Sequence, residues 1–267
     1  MLKTRVIPVL FLMNGLIVRS ERFEEFKVIG NPVNELARYS EWLVDELVYI
    51  DISREDGLDM RRDDHKVKGQ GDALSLLREI SKHAFMPLTF GGRLRSLADV
   101  DRTLANGADK VAINSALWRD PGLTTEVATK YGSQAMVAGI DFRRGADGRM
   151  ILAFDQGRTP VARDPVDWAR ELESRGAGEI FLNAVDRDGT ADGYDVDAIA
   201  AVSAAVNIPV IACGGVGAFE DFRDAIDAGG ASAVAAGNIF HFTEHSYKRA
   251  KQTLRRSGHT VRYPYES

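Results

Sequence analysis

Two stretches of this chain repeat each other. Phe90-Gly91-Gly92-Arg93 running to Ala116-Leu117, and Cys213-Gly214-Gly215-Val216 running to Ile239-Phe240, align without a gap at a spacing of 214 − 91 = 123 positions. Gly91 falls on Gly214, Gly92 on Gly215, Asp101 on Asp224 and Ala105 on Ala228. Gly107-Ala108 falls on Gly230-Ala231, and Val111-Ala112 on Val234-Ala235. Each copy reads as a strand end, a Gly-Gly turn, a helix, a Gly-Ala turn and a second strand. That is a βαβ unit, and repeating it constrains the chain to two similar halves.

Short apolar runs alternate with helix-period segments from end to end. Strands are expected at Arg5–Phe11, Leu47–Ile52, Pro87–Phe90, Lys110–Ile113, Ala135–Asp141, Ile180–Ala184, Pro209–Cys213 and Ala233–Ala236. Helices are expected between them, at Pro32–Leu43, Asp72–Ala84, Leu97–Ala105, Pro121–Tyr131, Pro165–Arg175, Val196–Ala205, Phe219–Ala228 and Glu244–Arg256. Pro32, Pro121 and Pro165 each follow Asn or Asp, which suits an N-cap and a first helical turn. Gly107, Gly176 and Gly229 are placed to end helices. Eight such units predict an α/β fold, a closed (β/α)8 (TIM) barrel with a two-fold half-barrel repeat, over a doubly wound sheet. The expected organisation is one domain over 1–267, with half-barrels at 1–131 and 132–257; 267 residues suit a barrel of ~250. Asn14–Gly30, Ser53–Gln70 and Arg143–Arg163 read as long irregular loops at strand C-termini, where barrels keep their working residues.

Composition limits the function classes. Hydrophobic residues make up 45% and charged residues 27%, as in a globular protein. A net charge of −5 argues against a general nucleic-acid binder. The one cysteine, Cys213, excludes an internal disulfide and a Cys-based zinc site, and suits a cytoplasmic home. The apolar run Val6 to Met13 contains Pro8 and lacks a cleavage site after it, so a buried strand is expected there, not a signal peptide or membrane span. His65, His83, His241, His245 and His259 show no ligand spacing, so neither a metal nor a cofactor is expected.

The glycine pairs suit phosphate. Glycine lets backbone N–H groups point at an anion with no Cβ in the way. Gly91 and Gly92 follow strand three, and Gly214 and Gly215 follow strand seven. Asn114-Ser115 and Gly237-Asn238 end strands four and eight and can add donors. Two such places across one barrel mouth suit an elongated ligand with a phosphate at each end, although tight turns alone would also use these glycines. Carboxylates stand at the same end: Asp51 on strand two, Asp141 on strand five, and Asp186 and Asp188 before Gly189 after strand six. Asp141, on an otherwise apolar strand, is the expected acid–base group. Its half-barrel counterpart is Phe11, which cannot move a proton. At the opposite end, Arg5, Glu46, Lys110 and Glu179 start strands one, two, four and six, and their alternating sign suggests a ring of ion pairs.

These residues carry a resemblance. Arg5-Val-Ile-Pro, Asp45-Glu-Leu-Val, Gly107-Ala-Asp-Lys-Val-Ala-Ile-Asn114, Gly176-Ala-Gly-Glu-Ile, Asp186-Arg-Asp-Gly-Thr190, Gly193-Tyr-Asp195, Cys213-Gly-Gly and Phe240-His-Phe242 together resemble the cyclase subunit of imidazole glycerol phosphate synthase over nearly the whole chain. The resemblance implies a lyase of histidine biosynthesis with a glutaminase subunit on the N-terminal barrel face, forming a heterodimer. Ammonia made there would pass through the barrel to a bisphosphorylated ribotide and give imidazole glycerol phosphate and aminoimidazole carboxamide ribotide. Under it Arg5, Glu46, Lys110 and Glu179 match an ammonia gate, Asp109 faces the glutaminase, and Asp141 matches one of two catalytic aspartates. Arg19 stands where the mobile first loop usually carries lysine.

The departures are specific. Phe11 replaces the other catalytic aspartate, Arg93 a third glycine and Asn238 a serine, and the Ser53–Gln70 loop looks long. This pattern is similar to divergent paralogues of surface-polysaccharide (lipopolysaccharide) sugar amidation, which implies a relay of ammonia to a separate amidotransferase. A sister sugar-phosphate isomerase is a further alternative; it needs two opposed aspartates and no gate.

Overall fold

The computed structural model describes residues 3–53, 73–242 and 245–264. Most of the Ser53–Gln70 loop, with Asp72, His65 and Glu244, lies outside them.

Eight parallel strands close on themselves: Arg5–Met13, Leu47–Asp51, Leu88–Gly91, Lys110–Ile113, Met136–Arg144, Glu179–Ala184, Val210–Cys213 and Ala233–Ala236. Strand one pairs with strand eight through Arg5↔Ala233 and with strand two through Val9↔Val48; strand five pairs with strand six through Glu179↔Val137, so no edge is left open. A helix covers the outside after each strand, which is the (β/α)8 barrel the alternation implies. The apolar run after Arg5 is the buried first strand, and among the described residues no helix is long and apolar enough to cross a membrane.

The cores form two layers. Outward-facing strand residues such as Val6, Leu10 and Leu47 pack against helix residues such as Leu36, Leu77, Trp168 and Phe222. Inward-facing Ile7, Val9, Val48, Val137, Phe181, Ile211, Ala233 and Ala235 fill the lumen. Strand alternation produces both sets: along strand one Arg5, Ile7, Val9 and Phe11 face inward while Val6 and Leu10 face out.

The internal repeat reappears in three dimensions. Five-residue helices follow strands four and eight, Ser115–Arg119 and Asn238–Phe242, and they start 238 − 115 = 123 positions apart. Strands one and five are both nine residues long, and each runs on into an antiparallel hairpin. Those hairpins correct the expectation of irregular loops. Asn14–Gly30 holds strands Leu16–Glu21 and Glu25–Gly30, and Arg143–Arg163 holds Met150–Phe154 and Thr159–Val161. Strand one turns into its hairpin at Asn14-Gly15, both at positive φ and an Asn-Gly signal readable in the sequence, whereas the outer turns place Arg22-Phe23 and Asp155-Gln156 at positive φ with no such signal.

Two cap expectations also change. Asn31 and Asp164 cap their helices through the N–H of Val33 and Val166, but Asp120 accepts from Gly122 one step early, and that helix begins at Gly122. The left-handed glycine after the seventh-unit helix is Gly230 (φ 68°), not Gly229.

Candidate active site

The C-terminal strand ends enclose a cavity of about 380 Å³, a size suited to a small ligand. Strands one to six contribute through the residues at their exits: Phe11 from strand one, Asp51 from two, Gly92 and Arg93 after three, Asn114 and Ser115 after four, Asp141 from five and Asn183 from six.

Asp141 continues the inward face that starts at Val137 and Gly139. Asn183 is its register neighbour on strand six, and its Nδ2 donates to Asp141 Oδ1 at 3.0 Å. The Asn114 side chain, from strand four, bonds the same carboxyl. Burial pushes the Asp141 carboxyl up to about 6, against the two amide hydrogen bonds that hold it down. Both amides spend their N–H groups on the carboxylate. Asn114 Oδ1 and Asn183 Oδ1 are left buried with no hydrogen-bond partner among the described residues. A carboxyl that titrates close to neutrality, flanked by two free acceptors, is suited to exchange a proton with a ligand that brings N–H or O–H groups. Sequence reasoning missed Asn183; the available signal was a lone amide on the apolar strand Glu179–Ala184.

Phe11 sits where the two-fold repeat puts the counterpart of Asp141. Its ring meets Phe23, from the turn of the first hairpin, edge-on at 5.0 Å, and both rings are buried. A second carboxyl group nonetheless approaches. Asp188 is buried, and burial first, then the nearby Asp141 and Glu21 carboxylates, raises it to about 7 although the Ser20 hydroxyl and the Phe23 N–H hold it down. Its Oδ2 has no hydrogen-bond partner among the described residues.

The expected phosphate-binding residues separate into two groups. Asp51, Gly92, Asn114 and Ser115 line the cavity, with Gly91 buried beneath. Gly92 has φ 88°, and a Cβ there would lie 2.0 Å from the Asp51 carbonyl oxygen, so only glycine lets this turn lie on strand two. Asp51 Oδ1 accepts from the Ser53 N–H, and Ser115 Oγ accepts from the Asp155 N–H at 3.0 Å, which leaves the serine's own proton to donate.

The other group does not line the cavity. Gly214 and Gly215 are buried, and a Cβ on Gly215 would lie 2.2 Å from the Gly193 carbonyl oxygen, so the loop after strand six covers this turn. Asn238 Nδ2 donates to the Ser20 carbonyl at 2.9 Å, the Arg22 N–H donates to the Asp188 carbonyl, and Gly189 packs against Ser20 and Asn238. The first hairpin is therefore bound down over this side. Arg19 lies on that hairpin 3.6 Å from Glu21, and Gly237 is half-buried at the end of strand eight. Asp186 accepts from the Arg144 N–H and fixes the start of the second hairpin.

At the floor the four expected charges meet. Arg5 Nη1 lies 2.6 Å from Glu46 and 3.1 Å from Glu179, and Lys110 Nζ lies 3.2 Å from Glu46 and 3.1 Å from Glu179. Thr89 also donates to Glu46, which is only 2% exposed. Asp109 is exposed on the same face and accepts from the Leu88 N–H, tying strand three to strand four.

Among the described residues no three His, Cys, Asp or Glu side chains gather as a metal centre would require. Burial and the nearby Arg38 cation lower His241 to about 3, so it stays neutral. His259 Nε2 stands 2.9 Å from Asp227.

Comparison with known proteins bears on this geometry. A family model described as histidine biosynthesis protein matches residues 5–246. The chain is 44% identical over 262 residues to the imidazole glycerol phosphate synthase subunit HisF of Hyphomonas neptunium, covering 98% of this chain and 99% of the relative. It is 41% identical to the subunit of that name from Chlorobium luteolum, covering 98% and 100%. The Alkaliphilus metalliredigens subunit is 40% identical, covering 95% and 96%.

Proposed function

The chain belongs to the histidine biosynthesis protein family, among the HisF cyclase subunits of imidazole glycerol phosphate synthase, and from that premise we propose that it takes ammonia in through the floor and uses it at the mouth. The observation that carries this reading is the apolar lumen between the charged ring and Asp141. Ammonium would lose its hydration there with no counter-ion, while neutral ammonia loses little. The ring closes the entrance, and a glutaminase subunit docked on the face that carries Asp109 would supply the nucleophile. The names of the relatives as subunits support a partner.

At the mouth a phosphorylated ribotide is the proposed acceptor. Gly92, Asn114 and Ser115 would hold one phosphate. Asp141 would take the proton that ammonia sheds on attack and return it to the leaving group, a role that suits a carboxyl near its midpoint at neutral pH. Phe11 cannot assist, and Asp188, whose carboxyl feels that of Asp141, faces the first hairpin instead of the cavity. The products would be imidazole glycerol phosphate and aminoimidazole carboxamide ribotide. The relatives above are cyclase subunits, which gives the isomerase reading no support.

Phe11 favours one second reading: a conduit that passes ammonia to a separate amidotransferase without closing a ring. One assay separates the two. Ammonium chloride and the ribotide are added to the purified chain and imidazole glycerol phosphate is measured. Turnover supports the cyclase reading. No product from the wild type, together with product from Phe11→Asp, supports the conduit.

A further inference from the structure

Arg93 occupies the left-handed region at φ 60°, directly after Gly92 at φ 88°. That region crowds any residue with a Cβ, and glycine enters it freely. The turn already uses two glycines, so a third would be the relaxed choice. Strained positions of this kind persist where the side chain has a task. The Arg93 side chain lines the cavity, and among the described residues it forms no ion pair or hydrogen bond.

The opposite wall makes that guanidinium informative. Arg119 and Arg158 line the same cavity. Arg119 Nη2 lies 2.9 Å from Asp155 Oδ1, and Arg158 Nε donates to the Asp155 carbonyl at 2.9 Å. Asp155 thus holds Arg119 with its carboxylate and Arg158 with its main-chain carbonyl, whereas Arg93, which lines the cavity next to Arg95, has neither. These arginines line the same cavity as Ser115, whose hydroxyl keeps its proton to donate. A guanidinium fork matches the oxygens of a phosphoryl group, which a backbone turn alone meets only with single N–H donors.

We propose that Arg93 is a specificity-determining anion contact, held over the cavity by a strained backbone, that grips a phosphoryl group of the ligand together with Arg119 and Arg158. The inference rests on the phosphate reading given above. It is tested on the full chain by calorimetric titration with inorganic phosphate and with pyrophosphate, alongside thermal melting. Arg93→Gly is expected to weaken binding of the better probe about tenfold. The same variant should raise Tm by about 2 °C, because strain leaves the turn. Arg93→Lys keeps a charge without the fork and should lose about threefold in affinity, with no gain in Tm. Tighter binding of pyrophosphate identifies a diphosphate end, and equal binding a single phosphoryl group; both support the proposal if Arg93→Gly weakens them. Unchanged affinity in Arg93→Gly overturns the assignment of Arg93 alone. A fall in Tm overturns it too, by making Arg93 a structural residue. A wild-type chain that binds neither probe overturns the phosphate reading along with it.

Discussion

The two ends of the barrel treat charge in opposite ways. At the floor, Arg5, Glu46, Lys110 and Glu179 neutralise one another, and the deeply buried Glu46 has Arg5, Lys110 and Thr89 as partners. At the mouth, half-buried Asp141 and buried Asp188 are met by amides, a hydroxyl and a backbone N–H, and burial pushes both carboxyls well above an ordinary aspartate. Physics alone would favour the floor arrangement everywhere, since a buried charge without a counter-ion is costly. Carboxyls met by no cation, and so raised toward neutrality, set the mouth apart from the floor. The floor, fully paired, can hold a lumen shut or open with little chemistry of its own.

The widest separation of the two ends comes from Asp141→Asn. If the chain turns over the ribotide, the rate should drop by ~10²–10⁴ when the group that carries the proton is lost. Stability at pH 8 should hold or rise, because a buried charge disappears while the amides keep a partner. Steady-state turnover and a melt at pH 8 check both halves. Loss of stability together with activity would mean that Asp141 is a structural group like Glu46. The converse variant, Glu46→Gln, should cost about 3 kcal/mol of stability by denaturant unfolding, since Arg5 and Lys110 are left to share Glu179. It should leave the titration of Asp141 where it was.

The contrast also reads out as a pH slope. Asp141 and Asp188 hold their protons to about 6 and about 7 in the folded chain, against ~4 when unfolded. The folded state therefore binds more protons between pH 4 and 7. Their stabilising effect is complete below pH 4 and is lost as pH rises through that window. Asp188→Asn should remove the part of the decline that extends to pH 7, at about 1.4 kcal/mol for each unit of raised pKa, leaving a decline that ends near pH 6. Melting curves from pH 4 to 8 measure it. An unchanged slope would place Asp188 in a solvated turn, as its neighbour Gly189 first suggests.

Much of this was legible in the residues. The 123-position repeat and the eight apolar runs led to the closed barrel, and charges at the strand starts led to the ring, because period and position along a strand determine which end a side chain reaches. Asn14-Gly15 signals the turn from strand one, but the outer turns were hidden because Arg22-Phe23 and Asp155-Gln156 take conformations that their side chains do not advertise. They in turn decide the shape of the mouth. Phe23 closes against Phe11, and Asp188, Gly189 and Asn238 face the first hairpin instead of the cavity. A repeat in sequence thus reveals equivalent turns, but not which of two equivalent turns is covered by a loop from elsewhere in the chain. Asn183 was missed for a related reason: an amide on a strand gains meaning only when the neighbouring strand places a carboxylate beside it.

The finest test lies in that amide. Asn183→Leu keeps the branched shape and removes one of the two donors to Asp141, so the carboxylate is less well solvated and its pKa should climb above about 6. A rise of about one unit, ~1.4 kcal/mol, is expected, and a carbon-13 titration of the Asp141 carboxyl would resolve it. The acid limb of the pH–rate profile should move by the same amount, since the base must be ionised to act. Asn114→Leu should act in the same direction from the other side, and the two shifts should add only in part, because either amide alone still satisfies one oxygen. If neither variant moves the titration, the amides do not hold Asp141 down, and the mouth would owe its raised carboxyl to burial alone. The floor gives the control: Lys110→Met removes a full charge at the other end of the lumen, and the same titration should not feel it.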